Sequence, residues 1–273
     1  MPSLAAMTTG QLQQRRRAAP TRHAMSKVPE VTLFFWVTKV LTTGMGETTS
    51  DFLNHKFANP VFPVGASAIM LALTLLVQFR TPKYSPWTYW STVVMVSVFG
   101  TMCADALHVG LGISYVVSTV FFAASLIGVF VVWYKVERTL SIHSIHTPRR
   151  ELFYWLTVVT TFALGTAAGD MTATTLKLGY FSSGVMFAVV FALPAIGYKW
   201  LRLNGIFAFW FAYVATRPFG ASFADWMGVS TARGGLDWGT GKVSLALAAL
   251  IAACVGYLAW SKTDVAKDTG LTG

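Results

Sequence analysis

Five carboxylates lie in otherwise apolar stretches of this 273-residue chain: Glu47, Asp51, Asp105, Asp170 and Asp225. Two bases, Lys39 and Arg217, lie in similar stretches, so at least three of the five acids lack a basic partner. A carboxylate in such surroundings must be protonated, hydrated or bound to a cation. Because carboxylate and hydroxyl oxygens suit Mg²⁺, Ca²⁺ or Mn²⁺ better than copper, these residues predict a site for a hard cation.

The four aspartates share one spacing. Each follows a tryptophan by fifteen residues and a glycine by five, in the sets Trp36/Gly46/Asp51, Trp90/Gly100/Asp105, Trp155/Gly165/Asp170 and Trp210/Gly220/Asp225. Four of the seven aspartates in the chain fall in this register. Self-similarity at fixed spacing is typical of a tandem array, so the chain is predicted to contain four copies of one small unit.

Within each copy, steps of four residues from the third position after the tryptophan trace one face of a helix. Those faces read Lys39-Thr43-Glu47-Asp51, Val93-Ser97-Thr101-Asp105, Val158-Phe162-Thr166-Asp170 and Tyr213-Arg217-Ala221-Asp225. The hydroxyls of Thr43, Ser97, Thr101 and Thr166 are expected to support the carboxylates as ligands. The repeated glycines are expected to let neighbouring helices approach closely.

The elements that position these faces are membrane helices. Hydrophobic residues make up 54% of the chain and charged residues 12%, whereas about a quarter of the residues are charged in a soluble protein. Eight apolar runs, near 31–53, 61–79, 89–107, 113–134, 152–175, 181–200, 205–227 and 242–260, are long enough to span a bilayer as helices. The sequence therefore predicts an all-α membrane protein with eight transmembrane helices.

The distribution of positive charge predicts the orientation. Of the 21 lysines and arginines, two lie in apolar stretches; with an N-in/C-in topology, fifteen of the rest are inside and four outside. The positive-inside rule thus explains the net charge of +10 without nucleic-acid binding, and it predicts a multi-pass protein of the cell (inner) membrane. The four tryptophans are expected at the cytoplasmic headgroup level.

Two crossings in each unit return the chain to its starting side. The four two-helix repeats, at about 31–79, 89–134, 152–200 and 205–260, are therefore expected to run parallel around the membrane normal. We expect the odd-numbered helices to form an inner cluster and the even-numbered helices an outer layer. Residues 27–260 form the membrane domain, residues 1–26 are expected to be a disordered cytoplasmic tail, with Met25 as an alternative start, and residues 261–273 a second tail.

Other reactive side chains give weaker signals. His108, one turn after Asp105, and Cys103, two residues before it, are alternatives as metal ligands, against a loop role and a packing role respectively. His143 and His146 are interpreted as loop residues. Because the chain contains none of the common nucleophile, zinc-protease, phosphate-loop or dinucleotide motifs, it is predicted not to be an enzyme.

Residues 27–53, KVPEVTLFFWVTKVLTTGMGETTSDFL, and the three further Gly-x4-Asp copies resemble a family of bacterial integral membrane proteins. That family is built from four tandem copies of a repeat of unknown function. Copies two and four have Thr101 and Ala221 at the position of Glu47. The resemblance implies a multi-pass membrane protein and no established activity.

The residues predict a transporter or channel for a cation, divalent and Mn²⁺- or Mg²⁺-like, passing through a carboxylate-lined cavity. Lys39 and Arg217 are expected to pair with carboxylates and compete with the cation. The alternative is a membrane scaffold or sensor whose carboxylates are structural. The predicted partners are the lipid bilayer and a small inorganic cation; the oligomeric state stays open, and no cofactor is expected other than a bound divalent cation.

Overall fold

A computed structural model of the protein describes residues 26–57, 59 and 61–265. Of the two predicted tails, residues 1–25 and 266–273 lie outside these ranges, whereas Ser26 and residues 261–265 are described. The described chain is helical and contains no strand. Its eight long helices are α1 (Leu33–Lys56), α2 (Val61–Arg80), α3 (Pro86–Asp105), α4 (Tyr115–Glu137), α5 (Pro148–Asp170), α6 (Tyr180–Trp200), α7 (Gly205–Gly228) and α8 (Thr240–Ser261).

Local sequence sets where several of these helices begin. Four of them start after a residue whose side-chain oxygen accepts a hydrogen bond from a backbone N–H of the first turn: Thr32, Ser114, Thr147 and Asn204. Such a cap satisfies an amide that has no partner within the helix. Proline opens α3 and α5, where its missing N–H is not needed.

The odd-numbered helices form a closed inner ring, in which α1 packs on α3, α3 on α5, α5 on α7 and α7 on α1. Each even-numbered helix packs on the inner helix of the following repeat: α2 on α3, α4 on α5, α6 on α7, and α8 back on α1. The four repeats are thereby arranged in a ring around one axis, and α8 closes that ring.

The repeated glycines lie where neighbouring inner helices touch, as predicted. A Cβ at Gly46 would lie 1.8 Å from Ser97 Oγ, and one at Gly100 would lie 2.6 Å from Phe162 Cβ. A Cβ at Gly165 would lie 2.1 Å from Arg217 Cβ, and one at Gly220 would lie 2.7 Å from Thr43 Cβ. In every case the partner is the residue seven positions after the tryptophan of the next repeat, so one contact, repeated four times, builds the ring.

Burial separates the inner and outer helices. Within an apolar 18-residue stretch of each helix, 22% to 28% of the residues are buried in α2, α4, α6 and α8. The corresponding share is 56% in α3 and 61% in α5. The outer surface consists largely of exposed apolar side chains such as Ile69, Ile127 and Leu245. An exposed apolar belt of this kind is typical of a membrane protein.

Among the described helices, six are long and apolar enough to cross a membrane; α1 and α7 are not among them. Helix α1 carries Lys39, Glu47 and Asp51 on the face turned into the ring. Helix α7 carries Arg217 and Asp225 on the corresponding face. Charged residues in a helix lower its mean hydropathy even when neighbouring helices enclose them. Spanning by all eight helices remains a prediction, as does the N-in/C-in orientation.

The end of the bundle that contains Trp36, Trp90, Trp155 and Trp210, here called the tryptophan end, is closed by both ends of the described chain. Glu30 N–H donates to the Asp264 carbonyl at 2.8 Å, and Lys27 N–H to the Ile145 carbonyl at 3.2 Å. Lys27 Nζ also forms a buried ion pair of 2.6 Å with Glu151, whose other oxygen accepts a hydrogen bond from Gln78.

The repeat tryptophans take part in the packing of the bundle. Trp90, Trp155 and Trp210 are buried between helices rather than displayed on the surface of the bundle. The indole of Trp210 donates to the Leu140 carbonyl at 2.8 Å, and its ring packs on Trp133 and Phe130. Large indole rings at this repeat position therefore serve helix packing, because each meets aromatic side chains of neighbouring helices.

Candidate cation site

The four predicted helix faces meet along the axis of the inner ring. Residues at equal register positions form layers, which we name by their charged members. From one end these are the aspartate layer (Asp51, Asp105, Asp170, Asp225), the glutamate layer (Glu47, Thr101, Thr166, Ala221), the arginine layer (Thr43, Ser97, Phe162, Arg217) and the lysine layer (Lys39, Val93, Val158, Tyr213). Every side chain in the three inner layers is buried.

A cavity of about 780 Å³ opens at the aspartate end of this axis. All five predicted acids, the four aspartates and Glu47, line it. The structure therefore brings together residues that are up to 178 positions apart in the chain (from 47 to 225). The other predicted residues, Lys39, Thr43, Ser97, Thr101, Thr166 and Arg217, are not among the lining residues of this cavity and lie in the layers below the aspartates.

Two of the four aspartates lie at the ends of their helices. Asp105 and Asp170 are the last residues of α3 and α5, and each is followed by a π-helical turn, Ala106–Gly110 and Met171–Thr175. π-Helical turns of this kind are frequent at functional sites. Asp105 also accepts hydrogen bonds from Ser50 Oγ at 2.8 Å and Asn54 Nδ2 at 3.2 Å, which fixes its carboxylate against α1.

Glu47 lies at the bottom of the cavity, where two threonines hold it. Its Oε2 atom accepts hydrogen bonds from Thr166 Oγ1 at 2.9 Å and from Thr101 Oγ1 at 3.4 Å. These two hydroxyls lie 3.2 Å apart. Thr101 and Thr166 thus orient the only acid of the glutamate layer from α3 and α5.

The two bases do not pair with the acids, contrary to the sequence expectation. Arg217 donates to Thr43 Oγ1 at 2.5 Å and to Ser97 Oγ at 3.5 Å, and its guanidinium packs on the Phe162 ring. Lys39 Nζ lies 4.1 Å and 4.0 Å from the ring centroids of Phe162 and Tyr213.

Within the described chain, neither base has a carboxylate oxygen within 4.0 Å. The register explains this separation. Arg217 is one layer from Glu47, and four residues of helix rise about 6 Å. Lys39 is two layers from Glu47.

Thr43 and Ser97 are hydrogen-bond partners of Arg217 and lie outside the cavity. In this structure they therefore do not act as supporting ligands.

Arg233 is a residue of the cavity that sequence analysis counted only as a loop charge. It lies in a short turn, Thr231–Arg233, between α7 and α8 and lines the cavity mouth. Its Nη2 donates to Tyr180 OH at 2.7 Å. Backbone hydrogen bonds from Gly235 N–H to Ser230 O and from Leu236 N–H to Trp226 O hold the loop in place.

The charge of the cavity acts on Arg233. Burial lowers the pKa of Arg233, but the Tyr180 phenol and the carboxylates Asp51 and Asp225 raise it more, so the pKa lies above its usual value. No register signal pointed to Arg233, because the equivalent positions of the other repeats, eight residues after each aspartate, are Asn59, Ile113 and Leu178. Asn54, Tyr115 and Tyr180 also line the cavity and were missed. Tyr115 and Tyr180 each follow the aspartate of their repeat by ten residues, a spacing that could have pointed to them.

The remaining candidate ligands lie elsewhere. His108 stacks on Tyr115, and its Nδ1 atom lies 2.7 Å from the Ile113 carbonyl oxygen, which fits the loop role. Cys103 is a free thiol. Across residues 26–265, apart from those the structure does not describe, no three His, Cys, Asp or Glu side chains lie close enough together to hold a metal ion directly.

Four segments of the chain match the family model described as Repeat of Unknown Function (DUF347): residues 34–84, 88–139, 153–203 and 208–264. The chain belongs to this family. Each matched DUF347 segment covers most of one inner helix and the outer helix that follows it, so the predicted four-copy organisation is confirmed. No match to the chain was found among curated proteins or among solved structures.

Proposed function

We propose that this DUF347 protein is a membrane transporter for a small inorganic cation, divalent and of the Mg²⁺ or Mn²⁺ type. One observation carries the proposal: each of the four repeats delivers its aspartate to the same cavity, and Glu47 forms the floor of that cavity. Acids inside a bundle with an apolar exterior are costly unless they serve a pathway or a site.

The membrane arrangement is part of the proposal. The outer helices would face lipid on all sides, and the polar inner helices α1 and α7 would cross the bilayer behind them. The chain would span the inner membrane eight times with both termini in the cytoplasm. The tryptophan end would then face the cytoplasm, and the cavity would open to the other side.

Charge and size support a hydrated divalent cation. Five acids line the cavity, against one arginine and, at its rim, one histidine, His55. Carboxylate and phenol oxygens are hard ligands, and Mg²⁺ in particular usually keeps several of its waters. Because no set of three ligands is gathered in the described cavity, such a cation would bind with water between it and most of the acids.

The filled axis favours a carrier over an open channel. Below Glu47, the arginine and lysine layers are buried, and the rings of Phe35, Tyr89 and Tyr154 continue the column towards the tryptophan end. Lys27 and Glu151 form a buried pair beyond them. A cation that enters the cavity would therefore need a rearrangement of the inner ring to leave at the other end.

The alternative, a scaffold or sensor with structural carboxylates, is favoured by one observation. Asp105 is held by Ser50 and Asn54, and Glu47 by two threonines. Hydrogen bonds of this kind satisfy acids without a cation. The experiment below separates the two functions.

Purified protein should bind a divalent cation in calorimetry and move it across proteoliposomes tested with a panel of Mg²⁺, Mn²⁺, Ca²⁺, Zn²⁺, Na⁺ and K⁺. Asp51→Asn and Asp170→Asn should each weaken binding by roughly tenfold, because asparagine keeps the shape and removes a charge, and about 1.4 kcal/mol corresponds to tenfold. The control is Asp237→Asn, an exposed acid in the loop before α8. Wild-type protein that neither binds nor moves any of these ions would leave the scaffold or sensor as the function.

Arg233→Gln should tighten binding of a divalent cation by several-fold in low salt, because it removes a fixed positive charge from the cavity mouth. The gain should shrink at physiological ionic strength, since Arg233 is exposed and exposed charges are screened. Lys242→Gln removes the same charge from an exposed position near the start of α8 that does not line the cavity. Equal affinity changes in the two variants would show that Arg233 acts only through net charge.

A further inference from the structure

Among the residues that the structure describes, the buried Lys39 has neither an ionic nor a hydrogen-bonded partner. Its side chain has no exposed surface, and within the described residues its Nζ atom has no hydrogen-bond partner. It contacts the faces of two aromatic rings, Phe162 and Tyr213. Cation–π contact stabilises an ammonium by a few kcal/mol at most, which is far less than the cost of burying an unpaired charge. Packing alone does not account for an ionisable group at this position.

The neighbour of Lys39 is a second base on the same aromatic ring. The Arg217 guanidinium also packs on Phe162, so the two bases lie close together. An arginine keeps its proton in proteins, whereas a buried lysine readily gives its proton up. Of the two bases, Lys39 is therefore the one whose charge can change, and Arg217 favours the uncharged form by repulsion.

Phenol groups extend from Lys39 towards the tryptophan end. Tyr213, on whose ring Lys39 lies, is followed one layer below by Tyr89 and Tyr154, whose hydroxyls are hydrogen-bonded to each other. The Tyr89 ring packs 5.6 Å from that of Tyr84, and Tyr84 donates a hydrogen bond to Asp264. Phenylalanine would fill the same space, so the hydroxyls provide proton donors and acceptors in an otherwise apolar column.

We propose that Lys39 carries a proton that is exchanged for the cation bound at Glu47 and the aspartate layer, so that transport is proton-coupled. This inference rests on the proposed function. Lys39 as an amine accepts one proton on Nζ from one side of the membrane, and after a rearrangement of the inner ring the ammonium releases that proton to the other side. The phenol column lies on the side of the tryptophan end, and the acids of the cavity lie on the opposite side. The ammonium repels a cation at Glu47, and the amine does not. A proton on Lys39 therefore weakens cation binding at Glu47, and a cation at Glu47 weakens proton binding by Lys39.

The charged and titratable groups around Lys39 come from all the inner helices. Glu47 lies two turns away on α1, Tyr89 on α3, Tyr154 on α5, and Tyr213 and Arg217 on α7. The titratable residues of the outer helix α8, which also packs on α1, are Lys242 at the aspartate end, Cys254 and Tyr257. Because the acids of the cavity also bind protons, only a comparison of variants isolates the contribution of Lys39 to the pH dependence.

Lys39→Met represents the uncharged amine at this position, and Lys39→Arg represents the positively charged ammonium. A unit charge about 12 Å from a divalent cation, the rise of eight helical residues, changes affinity by on the order of a hundredfold at an effective dielectric of about 20. Binding to the wild type should approach that of Lys39→Met at high pH and that of Lys39→Arg at low pH. In proteoliposomes with a trapped pH dye, wild type should move protons against the cation, and both variants should lose proton movement.

Two results would overturn the proposal. The first is proton exchange in Lys39→Met equal to that of the wild type. The second comes from NMR of protein labelled at the lysine side chains, with the Lys39 signal assigned by its loss in Lys39→Met. A Lys39 signal that does not titrate over the pH range in which the protein stays folded rules out a proton carrier even if no cation is transported. Wild-type protein that binds no cation but has a titrating Lys39 would instead contradict the proposed function alone.

Discussion

Gly165→Ala should strongly destabilise the inner ring. A Cβ at this position would lie 2.1 Å from Arg217 Cβ and 3.2 Å from two backbone atoms of the same residue, none of which can rotate away. Helices α5 and α7 would have to separate, and overpacking of this kind costs about 1–3 kcal/mol and occasionally more. Because the ring is closed, a shift at one contact also strains the other three.

The matched control is Gly128→Ala on the outer helix α4, where no described atom lies within 4 Å of the new Cβ. That change should be neutral or slightly stabilising, since alanine favours helix more than glycine does. Thermal unfolding in detergent and the monodispersity of the purified protein measure both. A Gly165→Ala protein as stable as Gly128→Ala would mean that α5 and α7 do not approach as closely as the structure has them.

Glu47→Gln should abolish measurable cation binding or weaken it by more than any single aspartate change. Glu47 is the most buried acid of the cavity, so its charge is the least screened by water and acts most strongly on a bound cation. Glutamine keeps an oxygen that accepts from Thr101 and Thr166, so the fold should survive. Calorimetry beside the proteoliposome flux assay measures the effect.

Glu30→Gln makes the same chemical change at the tryptophan end of the bundle and should leave binding unchanged. Thr166→Val adds a graded test, because it removes the 2.9 Å hydrogen bond to Glu47 without changing the charge of the cavity. It should weaken binding less than Glu47→Gln does. Full cation affinity in Glu47→Gln would place the cation among the aspartates alone and remove Glu47 from the site.

Periodicity in the sequence determined most of the inner ring. The Trp-Gly-Asp register predicted four copies, and the step of four residues predicted which side chain of each helix faces the axis. Both are consequences of helix geometry, which repeats every 3.6 residues whatever the neighbours are. The contacts of Gly46, Gly100, Gly165 and Gly220 were predicted for the same reason: a missing Cβ at equal positions allows equally close approach.

Tertiary structure decided what depends on relations between repeats. The sequence does not show that each outer helix packs on the next repeat's inner helix, because all four outer helices are similarly apolar. Opposite charge suggested ion pairs for Lys39 and Arg217, yet the axial stagger of the layers puts each base at least one helical turn from the acids and gives Arg217 hydroxyl partners. Arg233 reaches the cavity only through the fold of the α7–α8 loop, and a contact made by one copy alone leaves no periodic trace in the sequence.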